Sequence, residues 1–209
     1  MNTPSGPDQF TVFRPRSGRW ILGVAAAIVV VGLVASVVTS GPQALATAAP
    51  LLAVAAIAWW LFWYPAVVVG PVGVELRNPV LTIDVPWGGL IQVDTKYALK
   101  LVTPGGSYTA WAAPAPGVRG THAGKPENMQ NLPGTSYGAG GSVRPGDLSN
   151  TDSGLAALLV RSEWERRIDN GLIDVDATDS VRVERRINWR PLGVVAGLLL
   201  LSVLTFALQ

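Results

Sequence analysis

Three uninterrupted apolar runs constrain this 209-residue chain more than any other feature. Trp20 to Val38, Ala44 to Tyr64 and Leu192 to Leu208 contain no Asp, Glu, Lys or Arg over 19, 21 and 17 residues. A bilayer core about 30 Å thick takes roughly 17 to 25 helical residues, and it offers the backbone no water to bond, so a run of this kind crosses it as a helix. The runs predict three transmembrane helices, over 20–38, 44–64 and 191–208. The first two form a hairpin whose turn carries Gly41-Pro42 and extends toward Pro50, and Pro191 suits the first turn of the third. A cleavable signal is the competing reading of the first run, with arginines before it and "ALATA" after it. The run is longer than a usual signal core and a second span follows at once, which favours retention.

Charge placement then orients the chain. All sixteen Lys and Arg residues lie in the N-terminal tail, residues 1–19, or between the second and third runs. Because Lys and Arg gather on the cytoplasmic side, the N-terminus and residues 65–190 are expected in the cytoplasm and the C-terminus outside. Trp20, Trp59, Trp60, Trp63 and Trp189 fall at the same three helix ends, where amphipathic indoles prefer the headgroup level. The candidate membrane-interface residues are therefore Arg14, Arg16, Arg19, Arg182, Arg185, Arg186 and Arg190, with Trp20, Trp63 and Trp189. Each such cation contributes about 1 kcal/mol against anionic headgroups. The plainer reading of the same arginines is that they only set topology. A net charge of +2, concentrated beside membrane spans, points to anionic lipid as a partner and not to nucleic acid. The chain has no cysteine, which excludes a disulfide framework and thiol chemistry.

After Tyr64-Pro65 the apolar period changes to two. Val67 and Val69, Val74 and Leu76, Leu81, Ile83 and Val85, Ile91 and Val93, and Tyr97, Leu99 and Leu101 alternate with mostly polar neighbours, as strands with one buried face do. Gly70-Pro71, Asn78-Pro79, Gly88-Gly89 and Pro104-Gly105-Gly106 mark turns. Residues 65–113 thus read as about six short strands in an antiparallel meander. Residues 114–152 lose the pattern; 13 of the 39 are Gly or Pro, which predicts a flexible insertion dispensable for folding, with at most a short strand near Val143. Residues 153–170 form a helix capped by Asp152 or Ser153 and closed by Gly171. Its expected buried face is Ala157, Val160, Trp164 and Ile168, with Trp164 as anchor and Arg161, Glu163 and Arg166 facing water. The membrane-proximal segment 171–190 ends in "VRVERRINWR", which satisfies a strand or a helix. Residues 1–13 read as disordered.

The stretch "YPAVVVGPVGVELRNPVLTIDVPWGGLIQVDTKYALKLV" resembles the bacterial pleckstrin-homology-like (PH-like) family named for low-molecular-weight protein antigen 6. The similarity lies in the upstream membrane hairpin, the "GVELRNP" strand, the next strand ending in Pro86-Trp87, and "LIQV". The resemblance implies an α+β fold, a small, partly open antiparallel β-barrel closed by one helix, in an envelope-associated protein without established enzyme activity. PH domains that bind phosphoinositides carry Lys and Arg around the first strand-strand loop. Here that loop is Gly70-Pro71-Val72, so inositol phosphate binding is not carried over.

No chemistry accompanies the fold. His122 is the only histidine and has no cysteine beside it, too few ligands for a metal. Asp84 and Asp94 lie on separate strands and read as solvated. "GAGGSVRPG" lacks the Lys-Ser/Thr ending of a phosphate loop. Trp87 and Trp111 are core residues or the walls of a ligand pocket. No catalytic residue, cofactor or metal is expected. The expected role is a membrane-anchored binding or scaffold module at the cytoplasmic face, engaging an envelope protein or lipid. The alternative is an accessory subunit of a transporter or channel, for which Ser36 and Thr39 are the only polar hint.

Overall fold

The structure, a computed structural model, describes residues 10–41, 45–116, 132–137, 144–173 and 181–207. His122, Val143 and most of "GAGGSVRPG" lie outside the described residues.

The apolar runs are helical. Helix α1 spans Arg16–Ser40 and α2 spans Leu45–Ala58, which continues into a π-helical turn, Trp59–Trp63, closed by the Tyr64 amide donating to Trp59 O at 2.9 Å. The third run lies in a helix Trp189–Ala207. Arg16–Thr39 and Trp189–Ala207 are long and apolar enough, by length and composition, to cross a membrane, whereas the middle helix, Ala48–Trp63, is shorter. Pro50 lies inside α2 and not in the turn; the turn begins at Gly41, at φ 54°. The helix α2 packs against both other helices, and Gly18 lies so close to the Phe62 carbonyl oxygen that a Cβ there would collide with it. Most remaining apolar side chains face outward, among them Val30, Val34, Val38, Leu200 and Phe206.

The period-two region forms six strands, as its alternation requires: β2 Ala66–Val69, β3 Gly73–Arg77, β4 Leu81–Pro86, β5 Gln92–Asp94, β6 Ala98–Thr103 and β7 Gly106–Pro114. Two further strands join from outside it. The tail expected to be disordered supplies β1, Thr11–Phe13, which pairs with β2 and buries Phe13. The ambiguous basic segment supplies β8, Glu184–Ile187, which pairs with β4. The strands form two antiparallel sheets, β1-β2-β3-β4-β8 and β5-β6-β7. Their inner faces, with Leu76, Val85, Leu99 and Leu101, share one core. The side chain of Asn78 bridges the sheets: its Nδ2 donates to Thr109 O at 2.9 Å and its Oδ1 accepts from the Trp111 amide at 2.8 Å, so one amide stands in for a ladder pair.

Helix α3, Asp152–Asp169, covers this core with Ala156, Ala157 and Val160. Its N-cap is Thr151, whose hydroxyl accepts from the Gly154 amide at 3.0 Å, one residue before the expected cap. Gly171, at φ 64°, closes the helix as expected, with its amide bonding Ile168 O and the Leu172 amide bonding Arg167 O. Trp164 packs against the core while only partly buried, and Ile168, expected on the buried face, is 38% exposed.

Arg161, expected to face water, is buried at 4% exposure. Two of its three partners, Asp147 and Ser136, come from the segment expected to be a dispensable insertion. Arg161 donates to Asp147 Oδ1 at 2.5 Å, to Ser136 Oγ at 3.0 Å and to Val93 O at 2.7 Å, and Thr95 Oγ1 also donates to Asp147. A buried guanidinium requires a counter-ion, and Asp147 in a short 3₁₀ turn, Pro145–Asp147, supplies it. Leu132 and Leu148 are buried alongside. The expectation that residues 114–152 add nothing to the fold is corrected at these described stretches.

Candidate functional site

The helix ends and the β-domain meet at the Asn78-Pro79 turn. Trp60, within the π turn, donates its Nε1 to Pro79 O at 2.9 Å. Asn188, the residue before the last helix (α4, Trp189–Ala207), donates its Nδ2 to Asn78 O at 2.8 Å, accepts from Thr82 Oγ1 at 2.8 Å, and its amide bonds Val80 O. Trp111 of β7 donates its Nε1 to Leu61 O at 2.8 Å. At the start of α1, the Asp152 carboxylate accepts from the Arg16 amide; burial raises the Asp152 pKa, and the Arg16 amide and charge oppose that without cancelling it. The domain is therefore fixed to all three apolar helices.

Next to this junction the register of three strands sorts charge into two rows. Arg77 of β3 pairs with Thr82 of β4, and Thr82 with Arg186 of β8; one pleat away, Glu75, Asp84 and Glu184 pair in the same way. Residues two apart on a strand share a face, so the basic row and the acidic row lie side by side. Arg77 bonds Glu75 through Nε at 3.0 Å and Nη2 at 2.7 Å. Arg186 bonds Asp84 through Nε at 3.1 Å and Nη2 at 2.7 Å, and this bond raises the Arg186 pKa. The basic row is the one nearer the helices, because Arg77 precedes the Asn78-Pro79 turn and Arg186 precedes α4 by three residues. There it borders a cleft of about 550 Å³ lined by Tyr64, Glu75, Arg77, Arg186, Trp189 and Arg190, among others. Arg190 is exposed and has no ion-pair partner among the described residues.

The expected interface residues are thus divided. Arg186, Trp189 and Arg190 share the cleft, with Trp189 at 72% exposure. Arg14 stacks over Trp63 at 5.2 Å from the ring centroid, at the end of the π turn. Arg16, Arg19 and Trp20 lie exposed on the first turns of α1. Arg185 turns away to the inner side of β8, where it donates to the Tyr108 hydroxyl at 3.0 Å and stacks on its ring. Arg182 is exposed and lies outside the cleft. Sequence reading missed Arg77, Glu75 and Tyr64, although "GVELRNP" places Glu75 and Arg77 on one strand face.

The remaining candidates separate by environment. Asp84 is held by Arg186 in one sheet, and Asp94 by Lys100 and Arg144 in the other. Burial works against ionisation of Asp94, but the Lys96 amide and the Lys100 and Arg144 charges outweigh it and hold the carboxyl below its usual range. Trp87 is a core residue whose Nε1 bonds Gly70 O at 2.9 Å. Trp111 is more than half exposed and lies between two apolar hollows beside Leu61. Thr39 bonds Ala35 O in its own helix at 2.9 Å.

Residues 64–123 match the family model of the bacterial PH domain, so a bacterial PH-like domain is present, as the "GVELRNP" and Pro86-Trp87 motifs implied. No curated protein and no solved structure matches the chain.

Proposed function

We propose that this chain is a multi-pass protein of the cell membrane, with three spans, that holds a PH-like module at the cytoplasmic face as a binding or scaffold element of the cell envelope and not as an enzyme. One observation carries the reading. The ends of two apolar helices, the π turn of α2 and the start of α4, are hydrogen-bonded to a single turn of the β-domain, Asn78-Pro79, directly or through Trp111, and the start of α1 is tied separately through the Arg16 amide to Asp152. A module tied at three points keeps one surface at a constant height and orientation to the bilayer, which favours assembly on that surface over free diffusion.

Two features support the membrane part. The outward apolar surface of α1 and α4 is unfavourable in water and at rest in hydrocarbon. The π turn carries α2 on to Trp63, so that, with its first residues, the middle helix needs only modest local thinning of the bilayer to span it. The two antiparallel sheets, bridged by Asn78 and covered by α3, support the reading of a partly open barrel with one closing helix.

Alkaline extraction of native membranes, followed by reporter fusions at Met1, Gly134 and Gln209, tests the reading. The chain is expected to stay in the pellet, with the first two fusions cytoplasmic and the third outside. Release into the supernatant refutes the membrane assignment, and a periplasm-active reporter at Gly134 refutes the orientation.

A further inference from the structure

The cleft between the basic row and the first turn of α4 has the features of a built anion site. Three arginines, Arg77, Arg186 and Arg190, and one carboxylate, Glu75, line a cleft of about 550 Å³, within the roughly 300–1,000 Å³ of small-molecule sites; with Asp84 paired to Arg186, one cation is left in excess. Arg77 and Arg186 place Nε and Nη2 on Glu75 and Asp84, which holds each guanidinium in a fixed plane and leaves its Nη1 without a bond among the described residues. Arg190 spends nothing on a carboxylate among the described residues. The amides of Trp189 and Arg190 lie in the first helical turn, where no intrahelical acceptor exists, and they add donors at the same end. Tyr64 and Trp189 supply aromatic walls.

We infer that this cleft binds the phosphate of an anionic phospholipid drawn from the leaflet on which the module sits. The inference rests on the membrane reading above and deepens it. Position selects the ligand. The cleft opens where α2 ends and α4 begins, so its mouth lies at headgroup depth, with the exposed Trp189 ring beside it. A lipid phosphate is already present there at high local concentration, whereas an acidic protein segment must first displace it. Neutral phospholipids carry the same phosphodiester, but their choline or amine cation is repelled by the arginines around it, so the guanidinium forks favour a lipid whose phosphate has no attached cation.

Native mass spectrometry of the full chain in neutral detergent tests the assignment, with phosphatidylglycerol and phosphatidylcholine of identical acyl chains as probes. Retention of phosphatidylglycerol is expected to exceed that of phosphatidylcholine by about tenfold. Arg190→Gln and Arg77→Gln are each expected to weaken it by roughly fivefold, equivalent to about 1 kcal/mol per arginine. Lys96→Gln, which removes an exposed charge away from the cleft, should leave it unchanged. Equal retention of the two lipids, or an equal loss in Lys96→Gln, overturns the site. Displacement of the lipid by millimolar glycerol phosphate overturns the lipid assignment in favour of a soluble phosphoester. A chain that remains in alkaline-washed membranes but shows no lipid preference refutes this inference alone; a chain that is washed off refutes the membrane reading itself.

Discussion

Removing the carboxylate of Asp147 is expected to cost this protein more than any surface change, although Asp147 lies in a stretch with no apolar pattern. Both members of the Asp147–Arg161 pair are 4% exposed, so Asp147→Ala leaves a guanidinium in a dry site with only Val93 O and Ser136 Oγ as acceptors. The Arg161 Nε is already buried without a partner among the described residues, which offer no spare acceptor to compensate. Breaking a buried pair from one side costs about 3–5 kcal/mol, against a total of roughly 5–15 kcal/mol for a domain. Arg161→Met alone is expected to cost a similar amount, because Asp147 then keeps only Thr95 Oγ1. The double variant removes both charges and should be less destabilised than the sum of the two by at least about 2 kcal/mol. Thermal unfolding of the full chain in neutral detergent, followed by tryptophan fluorescence, reads this as a Tm drop of roughly 10–20 °C for either single variant, partly recovered in the double. Single-variant shifts of a degree or two that simply add would show that residues 132–148 do not dock on α3, and the argument from the buried charge would be wrong. The same reasoning reverses the sequence-based expectation for the insertion: replacing residues 118–148 with a Gly-Ser linker strips Arg161 of Asp147 and Ser136 and should abolish protease resistance of the strands.

Trp164→Ala should lower Tm, with a loss of stability clearly below the about 3–5 kcal/mol of a fully enclosed tryptophan since this ring is only partly buried, while Trp189→Ala at 72% exposure should leave Tm unchanged; a larger effect from Trp189 would place it in the fold's core. Asn78→Ala removes both bonds that bridge β3 to β7, and it should raise amide hydrogen exchange at Trp111 by at least about tenfold, with unaltered exchange counting against a bridging role. Burial opposes ionisation of Glu163 as it does of Asp94, but the bonds and charges of Arg166 and Arg167 prevail, and both folded pKa values lie below the unfolded ones. Their contribution is therefore present above the ordinary carboxylate range, near pH 4, and is lost as pH falls through the folded values. Tm should fall on acidification below about pH 4.5, less steeply in Asp94→Asn, and identical slopes would remove Asp94 from the account. Asp152 has the opposite sign, because burial raises its pKa: its contribution is fullest below the ordinary range and is lost as pH rises through the folded value.

How much of this could be read without a structure depends on whether the determinant is local. Alternation in "VGVELRNPVLTIDVP" is a local signal, since the pleat exposes every second residue whatever the strand pairs with, so β2 to β7 were legible along with their turns. The apolar runs are equally local, and Gly171 marks the end of α3 because only that residue enters the left-handed conformation cheaply. Tertiary structure decided what depended on distant partners. Thr11–Phe13 carries too few residues to show a period and "VRVERRINWR" satisfies two of them, and both segments are strands because β2 and β4 each offered an open edge. Arg161 reads as solvent-facing on a helical wheel, and only the return of Asp147 from outside the helix makes its burial affordable. The cleft is the clearest instance. Asp84 and Arg186 are 102 residues apart, and no spacing rule joins Arg77 to Arg190. They meet because antiparallel register aligns Arg77, Thr82 and Arg186 across three strands, and the chain leaves the third strand directly into a helix.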